Sequence, residues 1–211
     1  MSVSESPAPA RLFLIRHGQT DHNVSQVLRG ASGAQTPLNA VGLGQAQQLA
    51  HALKALNLPR PRVYASTYLR AQQTAQPLAQ ALGVPLNILP DSHEIEVGDW
   101  EGRPYSVMHD LAHQMIAPDG HFGYPGGESL VGVGERFHTA LQTVLPRAGE
   151  TVLIVSHGAA LTAILAHLLG HDVTRSWPES YIHANTALTE LLWNENGPPE
   201  VIRLADAGHL K

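Results

Sequence analysis

The chain contains no cysteine. Disulfides, thiolate metal sites and cysteine nucleophiles are therefore excluded, and the composition fits a reducing compartment, so a cytoplasmic protein is expected. Charge is also sparse, at 15% of residues, with a formal net charge of -5. A chain of that sign lacks the clustered Lys and Arg that neutralise a nucleic-acid backbone, so no nucleic-acid partner is expected and any phosphate must be held locally. The apolar run at residues 12–15 is far too short to span a bilayer. Residues 1–10 (MSVSESPAPA) lack a basic region followed by an apolar stretch; they read as a loose tail on a protein with no membrane partner.

What is present suits one α/β domain. The 211 residues are 43% hydrophobic, enough for a core, and residues 11–211 show no second domain boundary. Two distant passages read alike: LFLIRHG at residues 12–18 and VLIVSHG at residues 152–158. Each is an apolar run of buried-strand length, followed at once by His-Gly and then by a segment with helical spacing. Strands of a parallel sheet end on one edge, and ligands of open α/β sheets bind beyond those ends. His17 and His157 are thereby expected in one pocket. Arg16 adds a planar guanidinium suited to phosphate, provided the chain turns at His17, because an extended strand sends neighbours to opposite faces. Gly18 is expected to supply that turn and to let main-chain N–H groups approach an anion. Gly158 opens an apolar helix whose positive end is expected to face the same anion.

The intervening sequence reads β-α-β-α-β. Residues 18–36 are a polar functional loop, 42–56 a helix, 62–65 a strand, 67–82 a helix containing Pro77, and 85–89 a strand. Residues 91–102 have no period and are read as an acidic loop. A helix over residues 104–117, a turn at 121–127 (HFGYPGG) and a helix over 128–145 follow. The strand at 151–155 and helix at 159–169 return to the sheet, and 186–193 with 201–204 close it as a hairpin or edge pair. The expected architecture is a three-layer α/β/α sandwich with a mostly parallel sheet and a small cap of helix and loop at about residues 103–128.

Residues 16–23 (RHGQTDHN), Pro37-Leu38-Asn39 with Gly42 and Gln45-Ala46, Ser66 with Arg70, Ala71 and Thr74, Glu94-Ile95 with GDWEG at 98–102, and Ser156-His157-Gly158 stand in this order. Together they resemble the motifs of the histidine phosphatase superfamily, which includes the phosphoglycerate mutases and their phosphatase relatives. The resemblance spans most of the chain and implies ping-pong phosphoryl transfer. His17 is the implied nucleophile; Arg16, Arg70 and His157 are implied to hold the phosphoryl oxygens, and Glu94 to act as general acid and then base. It implies neither cofactor nor metal. Arg16, Gln19, Asn23, Arg70, His157 and Gly158 are the candidate substrate contacts, although Gln19 and Asn23 also suit side-chain-to-backbone bonds that hold the loop. Gln35-Thr36 stands where the family often has an acidic residue before Pro-Leu, so the contacts at the pocket rim are expected to differ from the family's.

The family returns phosphate either to a sugar-acid hydroxyl or to water. Between Arg103 and Arg136 there is no Lys or Arg to hold a phosphoglycerate carboxylate; the cap offers Tyr105, His109, His113, His121, Phe122 and Tyr124. With the chain's short length, this favours a phosphomonoesterase acting on a small molecule, the alternatives being a mutase and a binding module without turnover. His109 and His113 have a spacing that can bind zinc on one helical face, but no acid follows the first as in HExxH. Gly42-x-Gly44 and Gly132-x-Gly134 lack a third glycine, and GGES at 126–129 is better read as a helix start than as a nucleophile elbow. Nothing in the sequence reports an oligomeric state.

Overall fold

Side chains alternate across β1 (Arg11–Arg16), and this alternation divides the interior in two. Leu12 and Leu14 join a buried cluster with Val152 and Ile154 on one side; Phe13 and Ile15 join another with Val63, Leu153 and Val155. A computed structural model describes residues 8–194 and 197–211. Within it, β1, β2 (Pro61–Ala65), β3 (Leu86–Ile88) and β4 (Thr151–Ser156) are parallel, while β5 (Leu188–Leu192) and β6 (Glu200–Asp206) form an antiparallel pair against β1. The strand order is β3-β2-β4-β1-β5-β6.

Helices α2 (Ala40–Ala55) and α3 (Leu69–Leu82) cover one face through Leu49, Leu53, Ala71, Ala75 and Leu78. Helices α5 (Leu130–Gln142) and α6 (Gly158–Leu169) cover the other through Leu130, Phe137, Leu161 and Ile164. The expected α/β/α sandwich is the observed one. Every residue of β4 is buried, which explains why it reads as a continuous apolar run. β1 and β4 pair in register, Arg16 beside Ser156, so the two His-Gly steps leave the sheet side by side.

Two elements differ from expectation. The helix read over residues 104–117 is only α4 (Val107–Asp110) followed by a 3₁₀ turn at Ala112–Gln114. So short a segment is not self-supporting, and Val107 is its only buried residue, so irregular chain wins. His109 and His113 consequently do not share a helical face. The polar loop at 18–36 holds a short helix, α1 (Asp21–Ser25), started by a capping box between Thr20 and Asn23. Of the tail expected at 1–10, residues 1–7 lie outside the described residues. The Ala8 and Ala10 carbonyls accept from Gly149 and Trp193, tying the chain to the body there. No helix among the described residues is long and apolar enough to cross a membrane.

Candidate active site

β1 delivers His17 to the mouth of the sheet, where it is buried and held by two contacts. Its Nδ1 lies 2.7 Å from the Gly18 carbonyl, and its Nε2 accepts from Arg70 Nε at 3.1 Å. A carbonyl can only accept and a guanidinium can only donate, so the ring's hydrogen sits on Nδ1 and the lone pair on Nε2. Burial, reinforced by the Arg70 and Arg16 charges, holds His17 neutral to well below the usual imidazole range. A neutral imidazole with its lone pair on Nε2 can attack an electrophile without a general base.

Helix α3 presents Arg70 and Thr74 one turn apart on one face. Arg70 reaches His17 and is steadied by the Gly33 carbonyl at 2.8 Å; Thr74 Oγ1 accepts the Gly18 N–H at 3.0 Å. Gly18 therefore serves the site differently from expectation. Its N–H is taken by Thr74, and its φ is not left-handed. Its necessity is steric, since a Cβ there would sit 2.6 Å from the Gly42 carbonyl of α2, and one on Gly42 would sit 2.1 Å from the Gln19 carbonyl.

His157 follows β4 and is fully buried, its ring 5.2 Å from that of His17. Ser66 Oγ, which already accepts the Tyr68 N–H, lies 2.6 Å from His157 Nε2. With the Ser66 proton given to Nε2, the ring's own hydrogen falls on Nδ1, which is buried without a protein partner. Burial above all, with Arg70 and His17 next, keeps this imidazole neutral as well. Arg16 donates to the His183 carbonyl at 2.6 Å, and its Nε is likewise buried and unpartnered. Buried donors without acceptors are costly. Arg16 lines a small cavity and can find an acceptor there, whereas His157, an expected substrate contact, is wholly buried and is not part of that lining.

Glu94 is placed by α6. Its carboxylate accepts from the N–H groups of Ala160 at 3.0 Å and Ala159 at 3.4 Å, and from its own neighbour Ile95 at 3.0 Å. The helix start expected to face a bound anion thus faces Glu94 instead, and Gly158 lines the adjoining cavity beside Arg16. Arg16, His17, Asn23, Arg70 and Glu94 all line one cavity of about 40 Å³, together with Arg29 and Tyr105. Asn23 Oδ1 accepts from Thr20 and Asn185, leaving its Nδ2 hydrogens for a ligand. Gln19 is not part of this lining: its side chain accepts from Asn39 and its N–H goes to Gln45, so it holds the loop. Thr36, at the rim where this chain departs from the family pattern, lines the cavity and meets His22.

Sequence reasoning missed three contributors. Arg29 borders the cavity with its Nε buried and unpartnered. Asn185 donates to the His17 carbonyl and to Asn23, and His183 anchors Arg16. Ser66 and Thr74 were visible as motif members, but their partners were not. A larger cleft of about 920 Å³ near the starts of β2 and β4, lined by Arg62, His138 and Glu150, contains none of the site residues. The His109 side chain is almost wholly exposed, and no group of three or more His, Asp or Glu able to hold a metal occurs among the described residues.

A neutral histidine lone pair facing a guanidinium, a second neutral imidazole beside it and a carboxylate on the same small cavity define a site for holding and attacking a phosphoryl group. The chain belongs to the histidine phosphatase superfamily, branch 1, whose family model matches residues 12–207. It is 33% identical over 165 residues to a "Probable phosphoglycerate mutase GpmB" of Yersinia pestis, covering 76% of this chain and 75% of the relative. Among solved structures it resembles a mycobacterial glucosyl-3-phosphoglycerate phosphatase complexed with VO3 (29% identity, TM-score 0.76, 93% of this chain and 98% of that one). It also resembles a phosphoserine phosphatase of Entamoeba histolytica in complex with 3-phosphoglyceric acid (25% identity, TM-score 0.77, 95% and 99%).

Proposed function

We propose that this enzyme hydrolyses phosphomonoesters of small molecules through a phosphohistidine on His17. The observation that carries the reading is the His17 tautomer: Nδ1–H tied to Gly18 and a free-base Nε2 opposite Arg70, inside a cavity sized for a phosphoryl group. On substrate binding, Arg70 exchanges the His17 lone pair for a phosphate oxygen and the Arg16 Nε donor gains its missing acceptor, while His157, its ring 5.2 Å from that of His17 and off the cavity lining, backs the site. Nε2 then attacks phosphorus in line; the P–N bond forms as the P–O ester bond breaks, and the proton that enters on the phosphate monoanion is passed through Glu94 to the departing oxygen. In the second step Glu94 takes a proton from water, whose oxygen attacks phosphorus. The P–N bond breaks, restoring His17 and releasing inorganic phosphate. The guanidiniums of Arg16, Arg70 and Arg29 supply the positive charge that a metal ion gives other phosphotransferases, so a chelator leaves the rate unchanged.

Water is favoured over a sugar-acid hydroxyl as acceptor because residues 104–135, the expected cap and the start of α5, contain no Lys or Arg. The similarity to the Yersinia relative supports mutase chemistry as the second reading. The two are separated by supplying 3-phosphoglycerate with a bisphosphorylated primer. Release of inorganic phosphate that outruns formation of 2-phosphoglycerate supports hydrolysis, and rapid equilibration of the two isomers with little phosphate release supports the mutase. The cysteine-free composition supports a cytoplasmic location.

A further inference from the structure

The phosphoryl cavity adjoins a second, much larger chamber that the chemistry above does not use. It measures about 540 Å³ and shares Arg16, Arg29, Glu94 and Tyr105 with the small cavity, so a ligand can occupy both at once. Its remaining wall is mostly apolar. Met108, Met115, Phe122 and Tyr124 come from the cap, and Trp177 and Ile182 from the segment between α6 and β5. The two walls are joined where Phe122 N–H donates to the Thr174 carbonyl at 2.9 Å. Trp177 and Phe122 are only partly buried and Ile182 is 61% exposed, an unusual state for large apolar side chains gathered around one space.

We infer that this chamber receives the alcohol portion of the substrate, and that this portion is large and apolar, an extended alkyl or aromatic group, rather than a glyceric acid or a sugar. The inference rests on the phosphomonoesterase reading and deepens it. Charge supports it: the cations on the chamber wall are Arg16 and Arg29, both at the phosphoryl end, and they are matched there by Glu94 and at the wall by Glu179. Farther in, the polar groups on the wall include Thr162, the neutral His183 and the outward, almost wholly exposed His109, with no Lys or Arg for a carboxylate, whereas apolar surface finds aromatic rings and thioethers. Size supports it too, since the volume is that of a site for a drug-sized molecule, and a three-carbon acid leaves most of the wall wet.

The test is a series of n-alkyl phosphates from ethyl to octyl, whose alcohols have nearly equal acidity, so leaving-group chemistry is constant. O-phosphoserine and 3-phosphoglycerate are run beside it. The wild-type enzyme is assayed for kcat/KM, and His17→Ala is titrated with the same esters by calorimetry, so that affinity is read whether or not turnover occurs. The expected result is a rise of about two- to fourfold per methylene in kcat/KM and in affinity until the chamber is filled. Ile182→Asp, at an exposed position that tolerates a polar side chain, flattens that slope. Hydrolysis with no dependence on chain length, or a tenfold preference for either anionic ester over the octyl phosphate, overturns the chamber assignment and leaves the phosphatase standing. A slope in affinity without any hydrolysis upholds the chamber and removes the phosphatase reading. No slope in either measurement removes the chamber.

Discussion

At the scale of single residues, the proposed chemistry turns on proton placement. Glu94 is held by three backbone N–H groups on a cavity that it shares with His17. Replacing it by Gln keeps the shape and removes the proton, so kcat falls about 10²–10⁴-fold, roughly 3–5 kcal/mol, for an alkyl phosphate. An aryl phosphate, whose leaving group needs little protonation, loses much less; equal losses for both esters contradict the assignment. His17 makes a second prediction. Because burial with Arg70 and Arg16 keeps it neutral far below the ordinary imidazole range, kcat/KM for an alkyl phosphate shows no acid limb near pH 6.5. Activity instead peaks on the acidic side of neutrality and declines toward about pH 9, as the phosphomonoester monoanion that brings the leaving-group proton gives way to the dianion. A fall in activity through about pH 6.5 on acidification, from protein shown to be folded, counts against the buried nucleophile. His17, Arg16, Arg70, Glu94 and His157 were legible because each stands in a short recognisable run. Arg29, His183 and Asn185 were not, because an arginine in a polar loop or an asparagine before a strand gains its role only when distant segments meet.

At the scale of elements, the loop that carries His17 is fixed by α2 and α3. Gly42 and Gly44 lie two residues apart in α2 and make the argument testable. A Cβ on Gly42 meets the Gln19 backbone at 2.1 Å, whereas one on Gly44 meets nothing within 4 Å. Gly42→Ala is expected to lower stability by about 1–3 kcal/mol and to depress kcat by moving the 17–19 segment. Gly44→Ala, on an exposed helix surface, is expected to add about 0.5–1 kcal/mol and leave kcat unchanged. Urea midpoints and steady-state rates of the two variants decide it, and similar behaviour of both removes the role given to the glycine contact. The long elements were legible because their periodicity matches their burial: β4 as a continuous apolar run, α2 as a stripe at Ala46, Leu49, Ala50 and Leu53. The cap was not. Its apolar residues point into a chamber rather than along one helical face, so they carry no period to read.

At the scale of the whole molecule, three histidines are buried uncharged: His17, His157 and His183. His183 is pushed down to about 4 by burial, with its Nδ1 at 2.8 Å from the Tyr181 carbonyl and its Nε2 at 2.8 Å from Thr189 Oγ1. Each has a lower proton affinity folded than unfolded, so the unfolded chain takes up protons first as pH falls below about 6.5. Stability is therefore full above that value and is lost toward acid, by up to about 1.4 kcal/mol per pH unit for each such histidine, the loss from His183 ending near pH 4. His183→Asn lowers stability at neutral pH but also shallows this slope; an unchanged slope shows that His183 is not a source. The fold and these histidines share one centre, the parallel strand ends where His17 and His157 emerge. The measurement that bears most directly on what happens there is trapping of the covalent intermediate. Enzyme turning over a ³²P-labelled phosphomonoester is quenched into alkaline denaturant and its labelled peptide is mapped. The account predicts one base-stable, acid-labile phosphoryl group on His17, formed at least as fast as turnover, absent from His17→Ala and indifferent to chelator. Turnover with no label on the protein, or with label on any other residue, contradicts it.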